Sequence, residues 1–262
     1  MSPISQNKSN PSGDTSWQAV ASWYDELLEE GADTYQEKVI KPNLLRLLGD
    51  VAGKKVLDLA CGQGYFSRVM AEAGAKVVGV DLSSDLIALA KKQSPKEIEF
   101  KVAPADKLEG FAGATFDCVT CVLAIQNIEQ MNGAFAECAR VLKPSGRLLL
   151  VLNHPTFRIP KKSAWGVDEE AGTQYRRIDA YMSESKTAID MQPSNTSKKV
   201  TTMSFHRPLQ VFFKALTKIG FVVTRLEEWM SHKVSEVGPK KAMEDRARKE
   251  FPLFMMIESK KN

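Results

Sequence analysis

The sequence predicts an α/β fold, a doubly wound and mostly parallel sheet with helices on both faces. Short apolar, β-branched runs alternate with amphipathic segments from Lys55 to Asn153, as strands buried on both faces require. Gly53, Gly74 and Gly146 each stand just ahead of such a run, where a helix-to-strand connection turns. The run VLDLACGQGYFSRVMA sets a strand, a Gly-x-Gly turn and a helix in direct succession, the arrangement that lets a ligand lie against the backbone.

Taken in order, residues 1–14 are rich in Ser, Asn, Pro and Gly without periodicity and read as a tail. Residues 17–30 and 35–48 carry helix-spaced apolar positions, the second as Val39, Ile40, Leu44, Leu45, Leu47 and Leu48, with Gly49 as its stop. The core follows as KVLDLA, a helix over 65–73, KVVGVDL, a helix over 84–92, EIEFKVA, FDCVTCVL, a helix over 132–142 and RLLLVLN. Across 154–206 the alternation breaks at Pro155, Pro160 and Pro193, and a hairpin pairing KTAIDM with VTTMSF is the one regular feature expected. A connection this long reads as a lid. A helix over 208–219 then precedes FVVTRLEEWM and PLFMMIESKK, strands six and seven. The expected divisions are 1–14 tail, 15–153 N-terminal helices and ligand-binding core, 154–206 lid, and 207–262 completing the core.

Lys and Arg number 36 against 32 Asp and Glu, a net charge of +4, scattered along the chain and too small to argue for nucleic acid or a membrane surface. No apolar run reaches membrane-spanning length and the N-terminus has no signal-peptide core, so a cytoplasmic protein is expected. Cys118 and Cys121 form a C-x-x-C, the spacing of a redox pair or half a zinc site. Here the flanks are those of a buried strand, where residues three apart face opposite ways. No metal site is expected.

Asp58 ends the first strand, Gly62 and Gly64 make the turn, and Asp81 ends the second strand 17 residues beyond Gly64. An acid so placed accepts from ribose hydroxyls. The third position of a G-x-G-x-x-G fingerprint is Ser67, so the turn alone does not choose among ribose ligands.

Four blocks in order, LDLACGQG, VVGVDLS, the APAD of Ala103 to Asp106, and FDCVTCVLAIQNI with RVLKPSGRLLL, resemble the class I S-adenosylmethionine-dependent methyltransferases, in particular type 11 and quinone-biosynthesis enzymes. The resemblance covers roughly residues 55–153. It implies a Rossmann-like sheet of order 3-2-1-4-5-7-6 and S-adenosyl-L-methionine as cofactor. It also implies roles: Asp58 to Gly64 along the aminoacyl part, Asp81 on the ribose, Leu82 on the adenine, Asp106 and the Ala105 amide on the adenine edge, and Cys121 to Leu123 opposite. Separately, Tyr24 and Tyr35 of the leading helices are read as closing the cofactor site from the other side, with ordinary packing as the alternative. Ala60 stands where glycine is common, and Gln126 and Asn127 replace histidines found in some relatives.

Methyl transfer is an in-line displacement that rests mainly on positioning. Where an acceptor must lose a proton, histidine is well tuned. His154, at the carboxyl end of the fifth strand, and His206, where the lid re-enters the core, are the catalytic candidates; His232 sits in a charged stretch. In the lid, Arg158, Tyr175, Arg176 and Tyr181 are candidate acceptor-binding residues, with packing within the lid as the alternative. The expected partner is a small-molecule methyl acceptor, an O-, C- or N-nucleophile, and not nucleic acid. A nicotinamide-dependent oxidoreductase and a non-catalytic binding module are the other readings.

Overall fold

The computed structural model describes residues 33–190 and 201–262, so the expected tail at 1–14 and helix at 17–30 lie outside the described residues. A π-helical turn, Gln36–Ile40, runs directly into α1 (Lys41–Leu48), which buries Leu44, Leu47 and Leu48 and stops at Gly49. Next come β1 (Lys55–Leu59), α2 (Tyr65–Glu72), β2 (Lys76–Asp81), α3 (Ser84–Gln93), β3 (Glu99–Val102) and β4 (Phe116–Val122). A 3-10 turn (Ile125–Asn127), α4 (Met131–Val141) and β5 (Leu142–Asn153) follow. The rest is β6 (Ser163–Asp168), β7 (Thr173–Ile178), β8 (Ser185–Asp190), β9 (Thr201–His206), α5 (Leu209–Lys218), β10 (Phe221–Trp229), α6 (Lys241–Glu250) and β11 (Phe254–Lys261).

Seven strands form one sheet in the order β10-β11-β5-β4-β1-β2-β3, which is the expected 3-2-1-4-5-7-6 read from the other edge. β1, β2, β3, β4 and β5 run parallel, while β11 is antiparallel to both of its neighbours. The winding reverses between β1 and β4, and open sheets of this kind bind ligands beyond the carboxyl ends at that point. Each face of the sheet is covered by its own apolar core. Cys118 packs with Val56 and Met70 on one face, and Cys121 with Leu59 and Phe135 on the other. All four cysteines are free thiols.

The connection after β5 forms two separate hairpins, β6–β7 and β8–β9. The second has the expected pairing, with Thr187 opposite Ser204 and Ala188 opposite Met203. The first packs elsewhere: Trp165 meets Phe251 edge-on at 5.3 Å beside the end of α6. No described helix is long and apolar enough to cross a membrane.

Candidate functional site

A cleft of about 440 Å³ opens at the carboxyl ends of β1, β2 and β4. Its floor is the loop after β1, turned by left-handed backbone at Ala60 (φ 56°), Gly62 (φ 59°) and Gly64 (φ 84°). Ala60 therefore adopts the conformation for which glycine is the easier residue. At Gly64 space matters as well as angle: a Cβ there would lie 2.9 Å from Cζ of Phe100 and 3.2 Å from Cβ of Ala90.

Asp81 ties this loop to β2. One carboxylate oxygen accepts from the Gly62 N–H and the other from the Ser83 N–H, both at 2.9 Å. Each oxygen retains acceptor capacity for a ligand. Burial pushes the Asp81 pKa above its ordinary value, opposed by the N–H groups of Ser83, Gly62 and Leu82. Leu82 is 47% exposed although apolar, and it lines the cleft, as a surface for a flat ring would. Ser83 caps α3, its hydroxyl accepting from Leu86 N at 3.3 Å. Across the cleft stand Ala105 and Asp106. Gly133 of α4 lets that loop approach, since a Cβ there would meet Cβ of Asp106 at 2.9 Å.

Asp58 lies beneath the loop and does not line the cleft. Its carboxylate accepts from Ser67 Oγ at 2.6 Å and Thr120 Oγ1 at 3.3 Å, joining the start of α2 to β4. Burial raises its pKa from 3.8 to about 6. Between those values the folded protein holds a proton the unfolded chain has lost, so this group makes stability fall as pH rises, by about 3 kcal/mol over the window. Asp58→Asn should remove that slope. Urea unfolding at pH 4 and pH 7 should show the variant gaining on the wild type at the higher pH; parallel behaviour would mean that Asp58 is ionised at its ordinary pKa.

The third wall is Val122, Leu123 and Ala124 with residues 127–130, and the fourth is the β8–β9 hairpin through Lys186, Met203 and Phe205. Thus the structure brings Gly62, Asp81, Leu82, Ala105, Asp106 and Leu123 together. Gly64 and Asp58 support them from behind. Cys121 is fully buried in the core while its neighbour Val122 reaches the cleft. Tyr35 stands outside, its hydroxyl 3.1 Å from Ser231 Oγ and its ring edge-on to Phe254 at 5.6 Å, and Gln36 lines the cleft in its place.

Neither His154 nor His206 lines the cleft. Nδ1 of His154 accepts from the N–H groups of Thr156 and Phe157 at 3.2 and 3.4 Å, which leaves Nε2 to donate to Glu228 at 2.6 Å. Burial lowers the His154 pKa despite that carboxylate. His206 bonds the carbonyl of Tyr181 at 2.8 Å through Nε2. The lid candidates are also engaged away from the cleft. Arg158 donates to Asn153 Oδ1 at 2.6 Å, and Arg176 to the Phe157 carbonyl at 2.8 Å and Ser163 Oγ at 2.9 Å. Tyr181 accepts at its hydroxyl from Leu209 N at 3.0 Å, and Tyr175 lies over Gly166. Among the described residues no group of three or more His, Cys, Asp or Glu is placed to hold a metal ion.

A seven-stranded sheet with one antiparallel strand, a glycine turn after β1 and an acid ending β2 define a nucleoside-cofactor domain of the methyltransferase type. Residues 57–150 match the family model described as Methyltransferase domain, and over that stretch the chain is similar to the class I S-adenosylmethionine-dependent methyltransferases. A ubiquinone biosynthesis O-methyltransferase of Xanthomonas oryzae is 35% identical over 104 residues, 38% of this chain and 44% of that protein. A demethylmenaquinone methyltransferase of Renibacterium salmoninarum is 39% identical over 111 residues, 42% and 46% of the two chains. The chain thus matches under half the length of these curated relatives. The crystal structure of an S-adenosylmethionine-dependent methyltransferase from Mesorhizobium loti superposes with a TM-score of 0.67 at 25% identity, over 84% of this chain and 96% of that one.

Proposed function

We propose that this protein transfers a methyl group from S-adenosyl-L-methionine to a small organic acceptor. The observation that carries the reading is Asp81, its two oxygens each fixed by one backbone N–H yet still able to accept at the mouth of the glycine-turned loop. The cleft, about 440 Å³, is of small-molecule size. When bound, the cofactor supplies a methyl group already activated on a sulfonium. Asp81 would accept from the ribose hydroxyls, Leu82 would pack on the adenine, and Asp106 with the Ala105 N–H would meet its edge. The backbone of Ala60 to Gly64 would face the aminoacyl group. Leu123 and the β8–β9 hairpin would exclude water from the transferring methyl, which leaves positioning as the main contribution of the protein.

The relatives named for ubiquinone and demethylmenaquinone biosynthesis support a small organic acceptor over nucleic acid, and we extend the proposal to work in the cytoplasm. Calorimetry with S-adenosylhomocysteine and with a nicotinamide dinucleotide tests the cofactor. Binding of the dinucleotide alone would favour the oxidoreductase reading, and methyl consumption across an acceptor panel separates an enzyme from a binding module.

In this reading His154 is a structural group and not a base. His154→Ala should cost about 1–3 kcal/mol of stability, because a carboxylate and two N–H groups lose their partner, while S-adenosylhomocysteine affinity stays within about twofold. Affinity lost with stability unchanged would return His154 to the site.

A further inference from the structure

We propose that Lys186 is the acceptor's partner: the acceptor enters the cleft as an organic oxyanion, and Lys186 receives it by exchanging Glu129 for the incoming oxygen. This deepens the methyl-transfer reading and rests on it.

Four charged side chains line the cleft among the described residues: Asp81, Asp106, Glu129 and Lys186. The first two stand on the nucleoside side. Lys186 is the one cation, and it comes from the opposite wall. Its Nζ lies 3.0 and 3.1 Å from the two carboxylate oxygens of Glu129 and 5.3 Å from the centre of the Phe205 ring.

The two side chains are mounted rigidly but paired loosely. Arg207, buried at the base of the hairpin, donates to the carbonyls of Ile128 and Glu129 at 2.8 and 2.9 Å and lies 5.3 Å from the Phe205 ring. That fixes β9 against the segment after β4. The Lys186 and Glu129 side chains themselves are 48% and 58% exposed, and ion pairs in such contact with water hold weakly. A ligand oxygen can therefore replace the Glu129 carboxylate without moving the backbone of either wall. Met203, Phe205 and Ile128 give the body of the ligand an apolar surround.

The chemistry suits an anion. No described histidine lines the cleft to take a proton, but an ammonium within a few ångströms favours the ionised form of a phenol, enol or carboxylic acid, whose proton leaves to water. A lone pair of that oxyanion forms the new bond to the methyl carbon as the carbon–sulfur bond breaks. The electron pair of the broken bond goes to sulfur, and the products are a neutral ether or ester and a thioether. An amine acceptor would instead develop positive charge beside Lys186. Arg207 across the Phe205 ring adds to the positive field, and Glu184 and Glu129 act against it.

The test uses the full chain loaded with S-adenosylhomocysteine, whose binding is measured first; failure there sinks the cofactor reading and not this one. 4-Nitrophenol, coloured only as the phenolate, is then titrated, with benzoate and benzylamine as parallel ligands. Bound 4-nitrophenol should ionise about one pH unit lower than the free compound. Lys186→Met should abolish that shift and weaken the phenolate about tenfold, while Glu129→Gln should tighten it. Benzoate binding with the same opposite responses would support the proposal and mark the oxyanion as a carboxylate. Circular dichroism and unchanged S-adenosylhomocysteine affinity verify that the variants fold, and Lys186→Gln replaces the methionine variant if it does not. Failure of both 4-nitrophenol and benzoate to bind at millimolar concentration, a shift that survives Lys186→Met, or benzylamine binding that is lost in Glu129→Gln each overturns it.

Discussion

Gly64→Ala should lower the stability of the protein by about 2–5 kcal/mol, the largest loss expected from adding a single methyl group near the cleft. Two independent costs add. The backbone there has φ 84°, and alanine in the left-handed region costs about 1–2 kcal/mol. The new Cβ would also press on Phe100 Cζ at 2.9 Å, and overpacking of that kind costs about 1–3 kcal/mol. Phe100 has no room to retreat, because its ring also closes on Gly79, where a Cβ would lie 2.6 Å from Cδ1. Gly62→Ala is the control. Its φ is similarly positive at 59° but nothing lies within 4 Å of its Cβ, so only the backbone cost of about 1–2 kcal/mol remains. Urea unfolding of the pair decides: equal losses would mean that the Phe100 ring yields and that the loop is set by dihedral preference alone.

Asp81→Ala should weaken S-adenosylhomocysteine binding by about 1.5–3 kcal/mol, the worth of hydrogen bonds to a charged acceptor, or roughly 10- to 150-fold. The same change leaves the N–H groups of Gly62 and Ser83 without the acceptor they have at 2.9 Å. The glycine loop should then loosen, with a smaller loss of stability beside the loss of affinity. Asp81→Asn keeps one oxygen acceptor and should fall between. Calorimetry on the three proteins reads the order directly. An affinity for Asp81→Ala within about twofold of wild type would remove Asp81 from the ribose and with it the observation on which the functional reading stands.

The core was legible because its signals are local. Strands such as LLLVL and FMMI are apolar without interruption, and only a sheet covered on both faces buries them. The cleft wall formed by Gly62, Asp81, Leu82 and Asp106 was legible for the same reason, as each sits at or within a few residues of a strand end. The hairpin β6–β7 was not. Its residues are half-buried or exposed along their whole length, so no apolar alternation marks it. In the same way α6 buries only Ala247 and passed as a charged stretch. Lys186, Met203 and Phe205 reach the cleft only through the register of β8 with β9 and the grip of Arg207 on carbonyls some eighty positions earlier. The histidines lie outside the cleft lining; position near a strand end says nothing about which way a ring nitrogen is spent.

The place of β11 has a consequence for the order in which the molecule can be built. This strand, Phe254–Lys261, lies between β5 and β10 and bonds to both, yet it leaves the ribosome after the other six strands of the sheet. Until it arrives, β5 presents an open edge on its outer side, and unpaired edges of apolar strands invite association with other chains. β10 meanwhile has no sheet to join. A nascent chain can settle β1 through β5 early, but its final closure waits for a pairing between segments about a hundred residues apart, the kind of contact that folds slowly. Chaperone demand should therefore peak late in synthesis, and a ribosome stalled before residue 254 should hold a protein whose cleft is formed and whose far edge is still adhesive.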